Sequence, residues 1–199
     1  MSNLRSSTHR RAAAAVAAAA LALVLAACIP PAPPTTTTTS TTSSTVPECV
    51  PEPATVTQGT VTLTVSQATC LEVGDEVTVT GSGYTTTGNL GTRPPLLGQA
   101  GGVYVLFGEF GDPWRPSQSA PSTNRKSIVQ HWALPASSYA IMSALNQPGL
   151  VQMTPEGGFT TTLTIAEPLG QLPTLAIATY AGSGSVNAGE ELLVPVSFG

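Results

Sequence analysis

The sequence predicts an all-β protein: an antiparallel β-sandwich of about seven strands behind a disordered tether. Two observations favour this class, in a chain of 199 residues of which only 9% are charged, against about 25% in an ordinary soluble domain. The chain is rich in turn formers, with 19 Gly and 18 Pro. Short runs that alternate apolar and polar residues, many of them β-branched, lie between glycine-rich turns from about residue 58 onward. Such runs are typical of strands and argue against a helical bundle.

Seven segments carry the strand pattern. They are residues 60–65, 77–80, 103–107, 128–134, 159–165, 175–180 and 192–198. The continuously apolar run VYVLF at 103–107 indicates a central strand. Pro195 falls on the outward face of the last strand, which predicts an edge position because proline donates no backbone hydrogen bond. One short helix is expected near residues 137–146.

Residues 1–27 have the pattern of an export signal. Arg5, Arg10 and Arg11 precede 16 consecutive apolar residues at 12–27, and no acidic residue lies among the first eleven. A helix of that length reaches about 24 Å at 1.5 Å per residue. A bilayer core is about 30 Å thick, so a signal peptide is favoured over a permanent span.

Four residues at the end of this run, LAAC at 25–28, indicate how the signal is processed. They resemble the lipobox of bacterial lipoproteins. The resemblance implies acylation of the Cys28 thiol, cleavage just before it, and a protein held by lipid on the extracytoplasmic face of the cell membrane. The alternative is an ordinary secretory signal cleaved after Ala27, with Cys28 incidental.

Removal of the signal leaves an acidic protein. Residues 28–199 contain four basic and eleven acidic residues, a net charge of −7. That charge repels phosphate backbones, so nucleic acid is not expected as a partner. It also repels anionic lipid heads, so attachment to the membrane must come from the acyl chains.

Residues 28–57 are expected to form a disordered linker rich in Pro, Thr and Ser. Residues 35–45 are all Thr or Ser, and such a segment buries too little apolar surface to fold. Prolines bias it toward an extended form of about 3.1 Å per residue, a reach on the order of 90 Å. The segment is either a plain linker or a stalk that carries O-linked sugar. The folded domain is assigned to residues 58–199.

Two stretches near the start of this domain are distinctive: TVSQAT at 64–69 and GDEVTVTGSGY at 74–84. They resemble the opening of neocarzinostatin-like immunoglobulin-type domains. GVYV at 102–105 is similar to a strand of exported modules that accompany haem-transport-associated, HtaA-type domains. The resemblance implies an immunoglobulin-like sandwich and a flat, chromophore-like ligand. The sequence departs from those relatives at residues 106–108, LFG, where they often carry a cysteine.

Cys49 and Cys70 remain after Cys28. Outside the membrane two cysteines usually pair, so a disulfide between them is the favoured prediction. Two free thiols, or an intermolecular link through Cys49, are the alternatives.

Catalytic and metal-binding patterns are weak. Residues 28–199 contain one histidine, His131, around which any nucleophile–histidine–carboxylate set would have to form. Glu109 and Asp112 are too few for a calcium site, and Glu190 and Glu191 are expected as solvated turn charges. No enzyme activity, cofactor or metal is therefore predicted.

Two long loops, residues 85–101 and 108–126, are the best candidates for a binding site, because long loops are often functional. The candidate cleft for a flat apolar ligand, such as haem or a chromophore, contains the residues Tyr104, Phe110, Trp114, His131 and Trp132. The alternative is that the two tryptophans plug the end of the sandwich.

The sequence thus predicts a cell-envelope lipoprotein that displays a binding or structural module, with an envelope protein or a small apolar ligand as its partner. A carrier of a flat apolar ligand is the first alternative. A hydrolase is the second, and the lone histidine disfavours it.

Overall fold

Two β-sheets packed face to face form the part of the chain that the computed structural model describes, residues 48–199. The predicted β-sandwich is confirmed, with nine strands in this part of the chain where about seven were expected. Its elements in chain order are β1 (Ala54–Gln58), β2 (Val61–Val65), β3 (Glu76–Ser82), β4 (Val103–Phe110), β5 (Arg125–Leu134), α1 (Ala136–Ala144), β6 (Leu150–Gln152), β7 (Phe159–Thr164), β8 (Thr174–Ala181) and β9 (Leu192–Pro195). The predicted signal peptide, Cys28 and most of the predicted linker lie outside the described residues.

The strands divide into a four-stranded sheet, in the order β1-β2-β3-β7, and a five-stranded sheet, in the order β6-β5-β4-β8-β9. All neighbouring pairs are antiparallel except β5 and β6, which pair in parallel. The chain crosses between the sheets after β3, β6 and β7. The predicted central strand, β4, lies in the middle of the five-stranded sheet, and the predicted edge strand, β9, ends it with Pro195 exposed.

Two strands were not predicted. β1 occupies residues 54–58, of which 54–57 were assigned to the linker, so the folded domain begins before residue 58. It is an edge strand whose side chains are mostly exposed, which weakens its hydrophobic alternation. β6 has three residues and pairs with β5 only after the chain has passed through α1. A strand that short leaves no periodic signal.

Strand alternation sends one set of side chains into the gap between the sheets. Leu63 from β2, Val79 from β3, and Val105 and Phe107 from β4 are fully buried there. The opposite face of the four-stranded sheet carries threonines. Cross-strand hydroxyl contacts such as Thr55 to Thr64, 3.0 Å, join the edge strand β1 to β2, and pairs of this kind stabilise a sheet.

The predicted disulfide is confirmed: Cys49 and Cys70 are bonded. The bond joins the residues that precede β1 to the loop that follows β2. The backbone supports the same junction, because Ala68 donates to the Glu52 carbonyl at 2.6 Å. The disulfide therefore fixes the point at which the domain begins.

We expect the free energy of unfolding of the double variant Cys49→Ser/Cys70→Ser to be about 3 kcal/mol lower than that of the oxidised protein, because the cross-link restricts the unfolded chain. Urea titration followed by far-ultraviolet circular dichroism measures this loss. The wild type in excess dithiothreitol is the control and should match the variant. Equal unfolding free energies for the oxidised wild type and the variant would contradict the expectation.

Candidate functional site

A second hydrophobic cluster lies on the outer face of the five-stranded sheet. Side chains at even positions of β4 point away from the core between the sheets, and Leu106 and Phe110 are fully buried on that outer side with Ala176 and Ala178 of β8. The loop between β4 and β5 covers them, and Trp114 from this loop meets the Phe110 ring edge-on at 5.4 Å. This sheet face is thus a packed layer rather than a solvated surface.

Three neighbouring strands place an aromatic side chain in one row on that face. Tyr104 of β4 stands opposite Trp132 of β5 and opposite Tyr180 of β8. Directly paired residues of antiparallel strands share a face, so the three rings meet: Tyr104 lies 5.0 Å from Trp132 and 5.4 Å from Tyr180 between centroids. The indole N–H of Trp132 donates to the Gly101 carbonyl at 2.7 Å, which fixes its orientation.

A cleft of about 310 Å³ opens beside this row. Tyr104, Tyr180 and Ala181 belong to its strands, and Arg125 enters from the start of β5. Three loops complete the wall: residues 85–101, 111–124 and 182–187. They contribute Arg93, Pro116, Ser122, Gly184, Ser185 and Val186. We refer to this site as the arginine cleft. Both long loops singled out from the sequence contribute to it.

Of the five residues predicted to form a ligand cleft, one lines the arginine cleft, three pack beside it, and His131 points away from it. Tyr104 lines the arginine cleft. Phe110, Trp114 and Trp132 lie on the same sheet face but pack against their neighbours without lining it. The tryptophans therefore serve packing, as the alternative interpretation held, although on the outer face of a sheet rather than at the end of the sandwich.

The structure corrects the placement of His131. It pairs with Val105, so it points into the gap between the sheets and away from the cleft. Its Nδ1 lies 2.6 Å from the hydroxyl oxygen of Thr161, which belongs to β7 of the other sheet. Burial lowers the pKa of His131, so the ring is neutral near pH 7 and bridges the two sheets.

Sequence reasoning missed Arg93, Arg125 and Tyr180 as cleft residues. Part of the signal was present: residues 28–199 contain only four basic residues, and all four fall in the two long loops. The position of Tyr180 opposite Tyr104 depends on the pairing of β4 with β8, which are separated by 63 residues.

Two adjacent buried glutamates hold the loops that form the cleft. Glu190 accepts hydrogen bonds from the Thr85 N–H at 2.6 Å and from the Asn89 side-chain amide at 2.5 Å. Glu191 accepts from the N–H and the hydroxyl of Ser117, at 2.8 and 2.5 Å. Both were expected as solvated charges, yet they are 2% and 0% exposed. They fix the two long loops to the start of β9.

Glu190 differs from an ordinary surface carboxylate in its pKa. Burial raises the pKa of Glu190, and the hydrogen bonds from Thr85 and Asn89 only partly oppose that effect. The raised pKa indicates that burial removes water from the carboxylate and that the hydrogen-bond donors replace only part of the lost solvation. The two loops are therefore held by specific hydrogen bonds in a buried setting, where each bond is difficult to replace by water.

Glu109 is a third buried glutamate, at the end of β4. Its carboxylate accepts from the backbone N–H groups of Gly170, Gln171 and Leu172, at 2.5, 2.7 and 3.0 Å. Burial acts to raise the pKa of Glu109, but the backbone donors at residues 169–172 outweigh it and the pKa is lowered. This carboxylate is used to fix a loop. Within residues 48–199 no group of three or more His, Cys, Asp or Glu side chains is placed to hold a metal ion.

The arginine cleft is rich in hydrogen-bond donors. Arg125 uses one terminal nitrogen on the Trp114 carbonyl, at 2.5 Å, and its guanidinium carbon lies 5.6 Å from the centre of the Tyr180 ring. Burial raises the pKa of Tyr180, an effect that Arg125 opposes, so its phenol is protonated at neutral pH. The Tyr104 hydroxyl accepts from the Ser183 N–H at 3.2 Å, which leaves its own proton free to donate. Among residues 48–199, no Asp or Glu lines the cleft.

The stretch of chain from Glu48 to Gly199 contains no helix long and apolar enough to cross a bilayer. Comparison of the chain with protein-family models, with curated proteins and with solved structures gives no match, so the site must be interpreted from its own chemistry.

Proposed function

We propose that this protein is a cell-envelope lipoprotein that displays a small-ligand-binding module, and that the arginine cleft is its binding site. The observation that carries the proposal is the cleft itself: about 310 Å³ bounded by three strands and three loops, with two arginines among its walls. Ligand sites are concave, about 300–1,000 Å³, and use a few well-placed polar groups. The cleft has these features at the small end of that range.

The position of the module outside the membrane is supported by two independent features. The LAAC sequence at 25–28 resembles a lipobox, and the domain contains a disulfide, a bond that persists in oxidising compartments. Acylation of Cys28 would anchor the chain, and residues 29–53 would separate the anchor from β1.

The anchor is tested by labelling cells that express the full chain with a radioactive or alkyne-tagged palmitate. We expect label on the wild type and none on Cys28→Ala, with the variant retained as the longer precursor. Cys49→Ser is the matched control, since it removes a cysteine of the disulfide and keeps the acceptor, and it should remain labelled. An unlabelled wild type released into the medium would contradict the anchor.

The binding module is tested by titrating the purified chain with three single-ring compounds of different charge: benzamide, benzoate and benzamidine. We expect saturable binding of at least one, measured by calorimetry. Val186→Trp should abolish it, because Val186 lines the cleft and is 59% exposed. Val73→Trp is the control: Val73 is 56% exposed and does not line the cleft. Absence of saturable binding for these three compounds and for the single-ring sugars glucose and glucuronate would refute the proposal.

A carrier of a flat apolar ligand is the second candidate, and the row of Tyr104, Trp132 and Tyr180 is the observation that favours it. The small volume and the two arginines favour a smaller and charged ligand over a haem-sized macrocycle. A haem titration in which the protein causes no shift of the Soret band would remove this candidate. We leave a hydrolase out of the proposal, because His131 faces the gap between the sheets.

A further inference from the structure

We infer that the arginine cleft selects a small ligand in which a single ring carries an oxyanion, such as an aromatic carboxylate or an acidic sugar. The inference rests on the proposed function, because it names the ligand class of the same site. Its basis is the combination of two arginines, two tyrosine rings and the lack of an acidic lining residue within the described part of the chain.

The first step is charge. Residues 28–199 contain eleven acidic and four basic residues, yet two of those four, Arg93 and Arg125, line one cleft. In an acidic protein this places a local positive potential inside a concavity, where low-dielectric walls concentrate it. An anionic ligand is attracted to the cleft although the molecule as a whole repels it.

The second step is hydrogen bonding. An arginine offers five N–H donors in a fork that matches the two oxygens of a carboxylate. Arg125 directs its Nη1 to the carbonyls of Trp114 and Ala120, at 2.5 and 3.4 Å. These contacts hold the guanidinium in place and use only part of its donors. Together with the free proton of the Tyr104 hydroxyl, these guanidinium donors can bind an oxyanion.

The third step is the ring. Tyr104 and Tyr180 line the cleft at 5.4 Å from each other, with an edge-to-face angle of 66°. Aromatic side chains favour contact with flat faces of a ligand, whether an aromatic ring or the C–H face of a sugar. A space of about 310 Å³ accommodates a ligand of about one ring rather than a macrocycle.

The fourth step is preorganisation. Arg93 lies against Gly184, where a Cβ would meet Arg93 Nε at 3.2 Å and would overlap the Thr92 hydroxyl. Gly184 has a φ of +79°, which favours glycine. Ser183 accepts from the Thr92 N–H at 2.9 Å, and its hydroxyl donates to the Arg93 carbonyl at 3.2 Å. The backbone that carries Arg93 is therefore held before a ligand arrives, which lowers the entropic cost of binding.

The test compares acids with neutral partners of the same shape by calorimetry on the full chain: benzoate against benzamide, and glucuronate against glucose, with inorganic phosphate as an anion that lacks a ring. We expect at least one of the two acids to bind about tenfold or more tightly than its neutral partner. Phosphate should bind more weakly than that acid. The relative affinities of benzoate and glucuronate then show whether the ring is aromatic or a sugar.

Substitutions of basic residues inside and outside the cleft show whether the preference for an acid arises in the cleft. Arg93→Gln should weaken binding of the preferred acid about tenfold, and Arg93→Lys should lose less because it keeps the charge. Lys126→Gln is the matched control. It removes the same charge from the same protein, but Lys126 follows Arg125 on β5 and does not line the cleft, so affinity should change little. Circular dichroism confirms that each variant folds.

The outcomes separate the inference from the proposal on which it depends. If benzamide or benzamidine binds as tightly as benzoate, and glucose as tightly as glucuronate, the oxyanion is wrong while the binding module stands. If phosphate matches the acids, the ring is wrong. If Lys126→Gln weakens binding as much as Arg93→Gln, the effect is general charge and the cleft assignment is overturned. If none of the ring compounds binds, the proposed function itself fails.

Discussion

Replacing Glu109 with glutamine is expected to lower the free energy of unfolding by about 4 kcal/mol. The carboxylate accepts three backbone N–H groups of residues 170–172 in a site where Glu109 is 2% exposed. A glutamine oxygen can replace only one carboxylate oxygen, so the amide NH₂ must face a backbone donor. Loss of charge-assisted bonds together with a buried donor that lacks an acceptor costs about this amount.

The stability that Glu109 contributes is expected to depend on pH. The pKa of Glu109 is lowered in the folded protein because the backbone donors outweigh burial. The unfolded chain, with a glutamate pKa of about 4.3, therefore binds the proton more tightly than the folded one. Glu109 contributes stability above about pH 4.3, and this contribution is lost as pH falls through its lowered folded pKa. The difference in unfolding free energy between wild type and Glu109→Gln should shrink below about pH 4.3.

Glu190 acts in the opposite direction, and the difference measurement removes its effect. Burial raises the pKa of Glu190, so its contribution is greatest when it is protonated and is lost as pH rises from about 4.3 through the raised value. Because Glu190 is present in both proteins compared, subtraction isolates Glu109. Urea titrations at several pH values between 3 and 7 provide the data.

Glu191→Gln is the matched control. Glu191 is fully buried, but its partners are the N–H and the hydroxyl of Ser117. A hydroxyl can donate or accept, so it can turn to accept from the new NH₂ group. A loss of only about 1 kcal/mol is expected. Equal losses for the two variants would show that burial of the charge, rather than the fixed direction of the donors, determines the cost.

The parts of the fold that sequence could predict are those set by local patterns. Val103 to Phe107 are apolar without interruption because β4 is covered on both faces. Pro195 marks an edge because it donates no ladder bond. The extent of the domain was harder to predict. β1 and β6 lie at the sheet edges, where burial is partial and the alternation of side chains carries little information.

The site was predictable only in part because it depends on pairing. His131 and Trp132 are consecutive on β5, and consecutive strand residues point to opposite faces, so alternation alone excludes a cleft that uses both. That inference was available from the sequence. The burial of Glu190 was not, because its partner Asn89 is 101 residues away and nothing near Glu190 in the sequence indicates it. Arg93 and Arg125 likewise line one cleft only because three loops pack beside the same sheet face.

Gly157→Ala is expected to have an effect of similar size, about 4 kcal/mol, for a different reason. Gly157 has a φ of +80°, a conformation that costs an L-residue about 1–2 kcal/mol. A Cβ at this position would also overlap the carbonyl oxygen of Tyr84, a backbone atom. The Tyr84 N–H donates to the Gly157 carbonyl at 3.1 Å, so the two segments cannot separate without loss of that bond. Such overpacking adds about 1–3 kcal/mol.

Gly98→Ala separates the two contributions. Gly98 has a φ of +74°, and no atom lies within 4 Å of a Cβ built there. Its substitution therefore carries the conformational cost alone, about 1–2 kcal/mol. The difference between the two variants, measured by urea titration, is the cost of displacing the Tyr84 backbone. If both variants lose the same free energy, the close contact at Gly157 relaxes without cost, and Tyr84 is held by its own contacts: the ring of Phe159 at 5.2 Å and the hydroxyl of Thr179 at 2.9 Å.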